Sequence, residues 1–142
     1  MNKLETLLSP KSIAMPRAIG FVRMGVGALL AYHGQEVFNP ELMEEYATWD
    51  TFHESTALFM VYLGKGSEFV AGVLLLLGLL TRVGAFITIC TFGYITFFVG
   101  HGKFWYQDQH PFMFALFGLL FFFTGPGAWS LDALFFEKDQ NK

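Results

Sequence analysis

Four long apolar runs, separated by short polar segments, constrain this chain more than any other feature of its sequence. They cover approximately residues 16–34, 57–80, 83–99 and 108–124. A helix needs roughly 20 apolar residues to cross the hydrocarbon core of a bilayer, with a range of about 17 to 25. The first three runs meet this length, whereas the strictly apolar part of the fourth, residues 111–124, is shorter. The pattern predicts an all-α membrane protein, folded as a four-transmembrane-helix bundle in a single domain over residues 1–142.

The composition agrees with a bilayer as the solvent. Hydrophobic residues make up 54% of the 142 residues and charged residues only 15%, whereas soluble domains average about 25% charged residues. The runs are also too continuous for the strands of a membrane barrel, which alternate over about ten residues. A net charge of -3 without a basic stripe argues against a nucleic-acid partner. The single cysteine, Cys90, excludes a dithiol pair, and we expect it to have a packing role.

Two short interfacial helices are predicted outside the long runs. In the acidic first loop, Asn39 and Pro40 suit the cap and first turn of a helix over residues 41–49. Near the C-terminus, Gly125-Pro126-Gly127 stops the fourth helix and Ser130 can cap a helix over residues 131–136. The acidic loop is interpreted as an aromatic belt with a solvated face, or as a docking surface for a basic partner.

The distribution of Lys and Arg predicts the orientation in the membrane. Arg82 forms the turn between the second and third helices, whereas residues 34–55 contain no Lys or Arg. By the positive-inside rule, both termini and the Arg82 turn face the cytoplasm, and the first loop and the Lys103 loop face outward. We therefore expect a multi-pass membrane protein with both termini in the cytoplasm. The other basic residues that support this orientation are Lys3, Lys11, Arg17, Lys138 and Lys142.

Ionisable residues inside the predicted helices mark a candidate site. They are Arg23, Lys65 and Glu68. Such groups cost about 2.5 to 3.5 kcal/mol each at membrane depth, so they normally face the bundle interior and pair with one another. Lys65 and Glu68 are three residues apart on one helix and share a face. We expect Arg23 to approach Glu68 from below and to keep it ionised. The group either forms polar contacts between helices that have only a structural role, or it forms a binding or proton-handling site.

Three histidines are predicted at the same end of the bundle. His33, His101 and His110 stand at the outer ends of the first, third and fourth helices. Together with Lys65 and Glu68, they give a polar pocket to which all four helices contribute.

Two cofactors suit such a pocket. A quinone needs an apolar cleft with a few oriented donors, which Arg23, His33 and Lys65 can supply while Glu68 moves protons. A haem b ligated by two histidines is the less favoured alternative. No metal-ion site is predicted, and no catalytic residue is assigned.

A series of short motifs points to a known family. They are Arg23 with Gly27, His33-Gly34, Glu68 followed by Gly72, LLLLGLL and Thr81-Arg82, His101-Gly102, Gly125-Pro126-Gly127 and Ser130-Leu131-Asp132. Their order and spacing resemble the DoxX family of small four-helix membrane proteins. The resemblance implies a location in the inner (plasma) membrane. It also implies membrane-linked redox work, because relatives are named as subunits of quinol-linked and thiosulfate:quinone oxidoreductase assemblies. It also implies that Arg23, His33, Glu68 and Arg82 occupy the family's characteristic polar positions. More distant relatives look like assembly helpers for other membrane proteins.

The expected function is that of an accessory or quinone-interacting subunit of a membrane redox assembly. Any oxidoreductase activity would need a partner or a bound cofactor. One alternative is a non-enzymatic assembly or scaffold subunit that uses the acidic loop and small residues such as Gly27 and Ala31 as contact surfaces. Another is a proton or ion path along Arg23, Glu68 and the histidines. Expected partners are the lipid bilayer, a membrane or outer-side protein, and further copies of the chain. Structural or topological roles are expected for Arg82 and Asp132.

Overall fold

The computed structural model describes Ser9 and residues 13–136, which contain six α-helices and no strand. The long helices are α1 (Met15–Gly34), α3 (Ala57–Leu77), α4 (Thr81–Tyr94) and α5 (Gln109–Thr124). Two short helices, α2 (Pro40–Ala47) and α6 (Leu131–Phe136), follow α1 and α5 respectively. A 3-10 turn (Gln35–Phe38) extends α1, and a π-helical turn (Ile95–Val99) extends α4. The prediction of an all-helical chain is confirmed.

Local signals account for the ends of the helices. Helix α3 ends three residues before the predicted boundary, because Gly78 adopts a left-handed φ of 63° that a helix interior does not allow. The Leu79 amide then donates back to the Leu74 carbonyl at 3.0 Å. At the start of α2, Asn39 caps the helix as predicted, since its side-chain oxygen accepts from two backbone amides of the first turn. Ser130 does the same for α6, where its Oγ accepts from the Ala133 amide at 3.2 Å.

The long helices associate as two close pairs, α1 with α3 and α4 with α5. Glycines allow the first pair to approach closely, because a Cβ at Gly27 would overlap the backbone of Leu76 and one at Gly72 would overlap the backbone of Ala31. The prediction that Gly27 and Ala31 form a contact surface for a partner is therefore wrong. Both residues are used inside the chain, where they hold α1 against α3.

Two of the described helices are long and apolar enough to cross a membrane: Ala57–Leu77, with a mean hydropathy of 1.5, and Thr81–Val99, with 1.6. Helix α5 is apolar but has only 16 residues. Helix α1 has 20 residues and carries Arg17 and Arg23 among its apolar residues. The other two predicted spans therefore stay a prediction. The terminal lysines used to predict the orientation (Lys3, Lys11, Lys138 and Lys142) lie outside the described residues.

Candidate functional site

A cavity of about 630 Å³ lies at the end of the bundle where α1 finishes and α3 begins. Its wall is formed by parts of α1 to α5, including the loop after α2 and the π-helical turn. Most of the wall is apolar or aromatic, and the polar side chains include four that the sequence singled out. These four are His33, Lys65, Glu68 and His110. Other lining residues that matter below are Tyr46, Trp49, Phe52, Cys90, Thr91, Phe92 and Ile95.

Lys65 is the centre of an ionic cluster beside the cavity. Its ammonium nitrogen lies 2.7 Å from Glu36 Oε2 and 3.3 Å from Glu68 Oε2. The same nitrogen is 3.5 Å from the His33 carbonyl oxygen and 5.6 Å from the centre of the Tyr46 ring. We call Glu36, Tyr46, Lys65 and Glu68 the Lys65 cluster. It joins α3 to the end of α1 and to α2.

The cluster is largely shielded from solvent. The side chains of Lys65 and Glu36 are 22% and 29% exposed, and that of Glu68 is 9% exposed. One ammonium group stands between two carboxylates, so the fully ionised cluster carries an excess negative charge. Removing these charges from water costs free energy unless each charge has a partner.

Glu36 and Tyr46 link the cluster to the amphipathic helix α2. The Tyr46 hydroxyl donates to Glu36 Oε2 at 3.1 Å. Burial acts to raise the pKa of Glu36, but the hydrogen bond from Lys65, the Lys65 charge and the Tyr46 hydroxyl outweigh it, so the pKa is lowered. Burial and the hydrogen bond to Glu36 raise the pKa of Tyr46. Glu36 is therefore ionised and Tyr46 neutral at pH 7.

Two of the three predicted histidines reach the cavity. The ring centres of His33 and His110 are 6.4 Å apart in an edge-to-face arrangement, and His110 also packs on Phe114 at 5.0 Å. His101 is exposed and is absent from the cavity wall. Its backbone amide donates to Asp108 Oδ2 at 3.1 Å, in a loop that this carboxylate closes after the π-helical turn. The prediction that His101 joins the other histidines is not met, because the chain turns at Gly100 before it reaches this residue.

Arg23 lies away from the cavity, and the prediction that it approaches Glu68 is wrong. It is fully buried, and its guanidinium donates to five backbone carbonyls. Two belong to the last turn of α3 and three to the segment between α5 and α6. Leu75, one of the acceptors, is seven residues beyond Glu68 on α3, or about 10 Å along the helix axis. These carbonyls use all five N–H donors of the guanidinium, so none remains for Glu68.

Asp132 and Arg82 lie at this same end, which we call the Arg23 end. The Asp132 carboxylate accepts from the backbone amides of Leu80 and Thr81 at 2.7 and 2.8 Å, and it thereby caps α4. Arg82 is exposed. The Arg23 end is therefore closed by backbone contacts, whereas the cavity lies at the opposite end of α3.

Sequence patterns did not indicate that Glu36, Tyr46 or Cys90 belongs near the site. Glu36 follows His33 by three residues, and Gly34 between them keeps an ordinary helical φ of -67°. Because residues three apart on a helical path share a face, Glu36 could have been assigned to the site had the helix been extended past Gly34. Cys90 was expected to pack within the bundle, but it lines the cavity and is exposed.

No group of three or more His, Cys, Asp or Glu side chains is arranged to hold a metal ion within residues 13–136. What the cavity combines is an apolar volume, two imidazoles, and a buried carboxylate paired with an ammonium group. Such a wall can hold a small, mostly apolar molecule and orient its polar atoms.

Comparisons with known proteins agree with the resemblance found in the sequence. The family model described as DoxX matches residues 18–101, which run from α1 past the π-helical turn. An uncharacterised protein of Haemophilus influenzae is 29% identical over 145 residues, covering 97% of this chain and all of the relative. No solved structure matches the chain significantly. Because the matched residues span more than half of the sequence and contain most of the cavity wall, the chain belongs to the DoxX family, a family of small membrane proteins.

Proposed function

We propose that this protein is a multi-pass inner-membrane protein that binds a lipid-soluble quinone in the cavity and acts as an accessory subunit of a membrane redox assembly. The observation that carries the proposal is the cavity of about 630 Å³, mainly apolar, with charged and imidazole groups in its wall. Sites for small ligands typically have volumes of roughly 300 to 1,000 Å³ and combine an apolar lining with a few polar groups.

The residues present fit a quinone ring and the start of its tail. Trp49, Phe52 and Phe92 offer flat apolar contacts, while His33 and His110 can each donate a ring N–H to an oxygen atom of the ring. Glu68, paired with Lys65, is the nearly buried group that can accept a proton. A bound quinone would supply two-electron, two-proton redox chemistry, and the electrons would come from a partner protein.

The surface supports four membrane spans rather than two. Each long helix presents large apolar side chains to its surroundings, among them Phe21, Phe59, Phe86 and Phe123. Exposed apolar surface of this extent suits contact with lipid. The exposed Arg82 at the Arg23 end supports a cytoplasmic position for that end, so the cavity would face outward.

Quinone binding can be tested with a matched pair of histidine variants. The protein, purified in mild detergent, is titrated with a decyl-substituted quinone while the fluorescence of Trp49 is followed. Trp105 and Trp129 are both exposed and absent from the cavity wall, so they can be replaced by Phe. His110→Ala should weaken binding by about threefold to tenfold, the effect of one lost hydrogen bond. His101→Ala, outside the cavity, should leave binding unchanged. Equal affinities in the two variants would contradict the proposal, as would a lack of binding by the parent protein.

A second candidate function has its own supporting observation. Glu41, Glu44 and Glu45 are all exposed on α2, and Asp50 and Glu54 are exposed in the loop that follows. This acidic surface suits a basic protein partner and a non-enzymatic assembly role. A stoichiometric partner that co-purifies in the absence of a quinone would favour this role. A Soret band in the visible spectrum would instead favour a haem.

A further inference from the structure

The groups that remain free to form hydrogen bonds in the cavity wall indicate which ligand the cavity prefers. Lys65 can only donate hydrogen bonds, and a carboxylate such as that of Glu68 can only accept them. His33, His110 and Thr91 can act in either sense, so they do not discriminate between ligands. The choice depends on which atoms of Lys65 and Glu68 are still available.

Lys65 has no donor left for a ligand. An ammonium group has three N–H bonds. Three acceptors lie within reach of its nitrogen: Glu36 Oε2 at 2.7 Å, Glu68 Oε2 at 3.3 Å and the His33 carbonyl oxygen at 3.5 Å. The expectation that Lys65 donates to a quinone is therefore at odds with its contacts.

Glu68 has an acceptor to spare. A carboxylate has about four acceptor positions, and the contact described for Glu68 is the one between its Oε2 atom and Lys65. The side chain is 9% exposed, and the residue lines the cavity. Glu36 differs, because it is absent from the cavity wall and accepts from both Lys65 and Tyr46. The cavity therefore contains an unused acceptor on a nearly buried carboxylate.

We propose that the cavity selects the reduced, hydroxyl-bearing form of its ligand, a quinol or a phenol of similar size, over the oxidised quinone. The inference rests on the proposed function, that is, on a ring compound of the quinone class in the cavity. A quinol hydroxyl donates to the Glu68 carboxylate, whereas a quinone carbonyl would bring a second acceptor against it. A site built to hydrogen-bond a hydroxyl discriminates strongly against an analogue that lacks it, because the buried polar group is left unpaired.

The test compares three probes that share one ring and one decyl tail: the quinol, the quinone and the dimethyl ether of the quinol. Binding is measured at pH 8 under anaerobic conditions through Trp49 fluorescence. We expect the quinol to bind about tenfold more tightly than the quinone, which corresponds to about 1.4 kcal/mol. The ether has no hydroxyl proton and should bind as weakly as the quinone.

Substitution of each carboxylate, Glu68 and Glu36, then shows which of them causes the preference for the quinol. Glu68→Gln introduces an N–H donor of the same size, so the preference for the quinol should fall to within about threefold. Glu36→Gln, which changes a carboxylate outside the cavity wall, should keep the preference. Should Glu68→Gln fail to fold, the three probes on the parent protein decide the question alone.

The outcomes separate this inference from the proposed function. Equal binding of quinol and quinone, or tighter binding of the quinone, would overturn the selection and leave quinone-class binding intact. A preference that survives in Glu68→Gln would overturn the assignment to Glu68. Failure of all three probes to bind would overturn the proposed function itself.

Discussion

Lys65 and Glu36 form an ion pair with a distance of 2.7 Å between Nζ and Oε2, and this pair joins α3 to the 3-10 turn that extends α1. Because Tyr46 of α2 donates to the same carboxylate oxygen, one atom of Glu36 connects three separate elements beside the cavity. The cluster is thus a structural connection, and its members Tyr46, Lys65 and Glu68 also line the cavity. Predictions about stability and about binding follow from different atoms within it.

Removal of the Lys65 charge should destabilise the protein strongly. In Lys65→Met, Glu36 and Glu68 would face each other without a cation, and breaking a mostly buried ion pair costs about 3 kcal/mol, the low end of the usual range. We expect a clear drop in the thermal unfolding midpoint in detergent. Lys65→Arg, which keeps the charge, should lose much less. A Lys65→Met protein as stable as the parent would show that the cluster contributes nothing to the fold.

The lowered pKa of Glu36 predicts a loss of stability in acid. A group whose pKa is lower in the folded than in the unfolded state stabilises the fold above its unfolded pKa, near 4.3 for Glu. This contribution is lost as the pH falls through the folded value. The difference in unfolding midpoint between the parent and Glu36→Gln should therefore be largest at pH 6 to 7 and should shrink below about pH 4. A difference that grows on acidification would contradict the sign of this shift.

Arg23 should matter for stability but not for binding in the cavity. Lysine has three donors where arginine has five, so Arg23→Lys would leave at least two of the five carbonyls without their present partner. Each unsatisfied buried group costs about 1 to 3 kcal/mol, so the unfolding midpoint should fall markedly. Arg17→Lys, an exposed change on the same helix, is the matched control and should be neutral. A change in quinone affinity in Arg23→Lys, without loss of stability, would contradict this assignment.

Most of the fold followed from local signals in the sequence. The apolar runs indicated the long helices, and the cap residues Asn39 and Ser130 indicated the short ones. Boundaries were wrong where backbone geometry decided them, as at Gly78, whose left-handed conformation ends α3 early. A single glycine within an apolar run can equally lie inside a helix, as Gly72 does, so residue type alone could not separate the two cases.

The candidate site was predictable only in part. Lys65, Glu68, His33 and His110 meet because the up-and-down order of the helices brings their ends together. Arg23 was misassigned because its acceptors are backbone carbonyls, and three of them lie more than 100 residues away in sequence. Carbonyl acceptors have no residue signature, so a buried arginine looks the same in sequence whether it binds a carboxylate or caps a helix.

Cys90 provides a direct probe of cavity occupancy. It is the single cysteine of the chain, it is exposed, and it lines the cavity. A saturating quinol should slow its reaction with a maleimide that can enter the bilayer, because the ligand would cover the thiol. The control is a cysteine placed at His101, outside the cavity, in a Cys90→Ser background, and its reaction rate should not change. Equal slowing at both positions would point to a general effect of the quinol on the micelle.

The proposed orientation can be tested with two cysteines at opposite ends of the bundle. Glu44 on α2 and Arg82 at the start of α4 are both exposed, so a cysteine at either position should react with a maleimide when it is accessible. If the Arg82 turn is cytoplasmic, as the positive-inside rule predicts, Glu44→Cys in a Cys90→Ser background should react with a membrane-impermeant maleimide in intact spheroplasts. Arg82→Cys in the same background should react only after lysis. The reverse pattern would place the cavity on the cytoplasmic side of the membrane. The partner that delivers the electrons would then have to reach it from the cytoplasm.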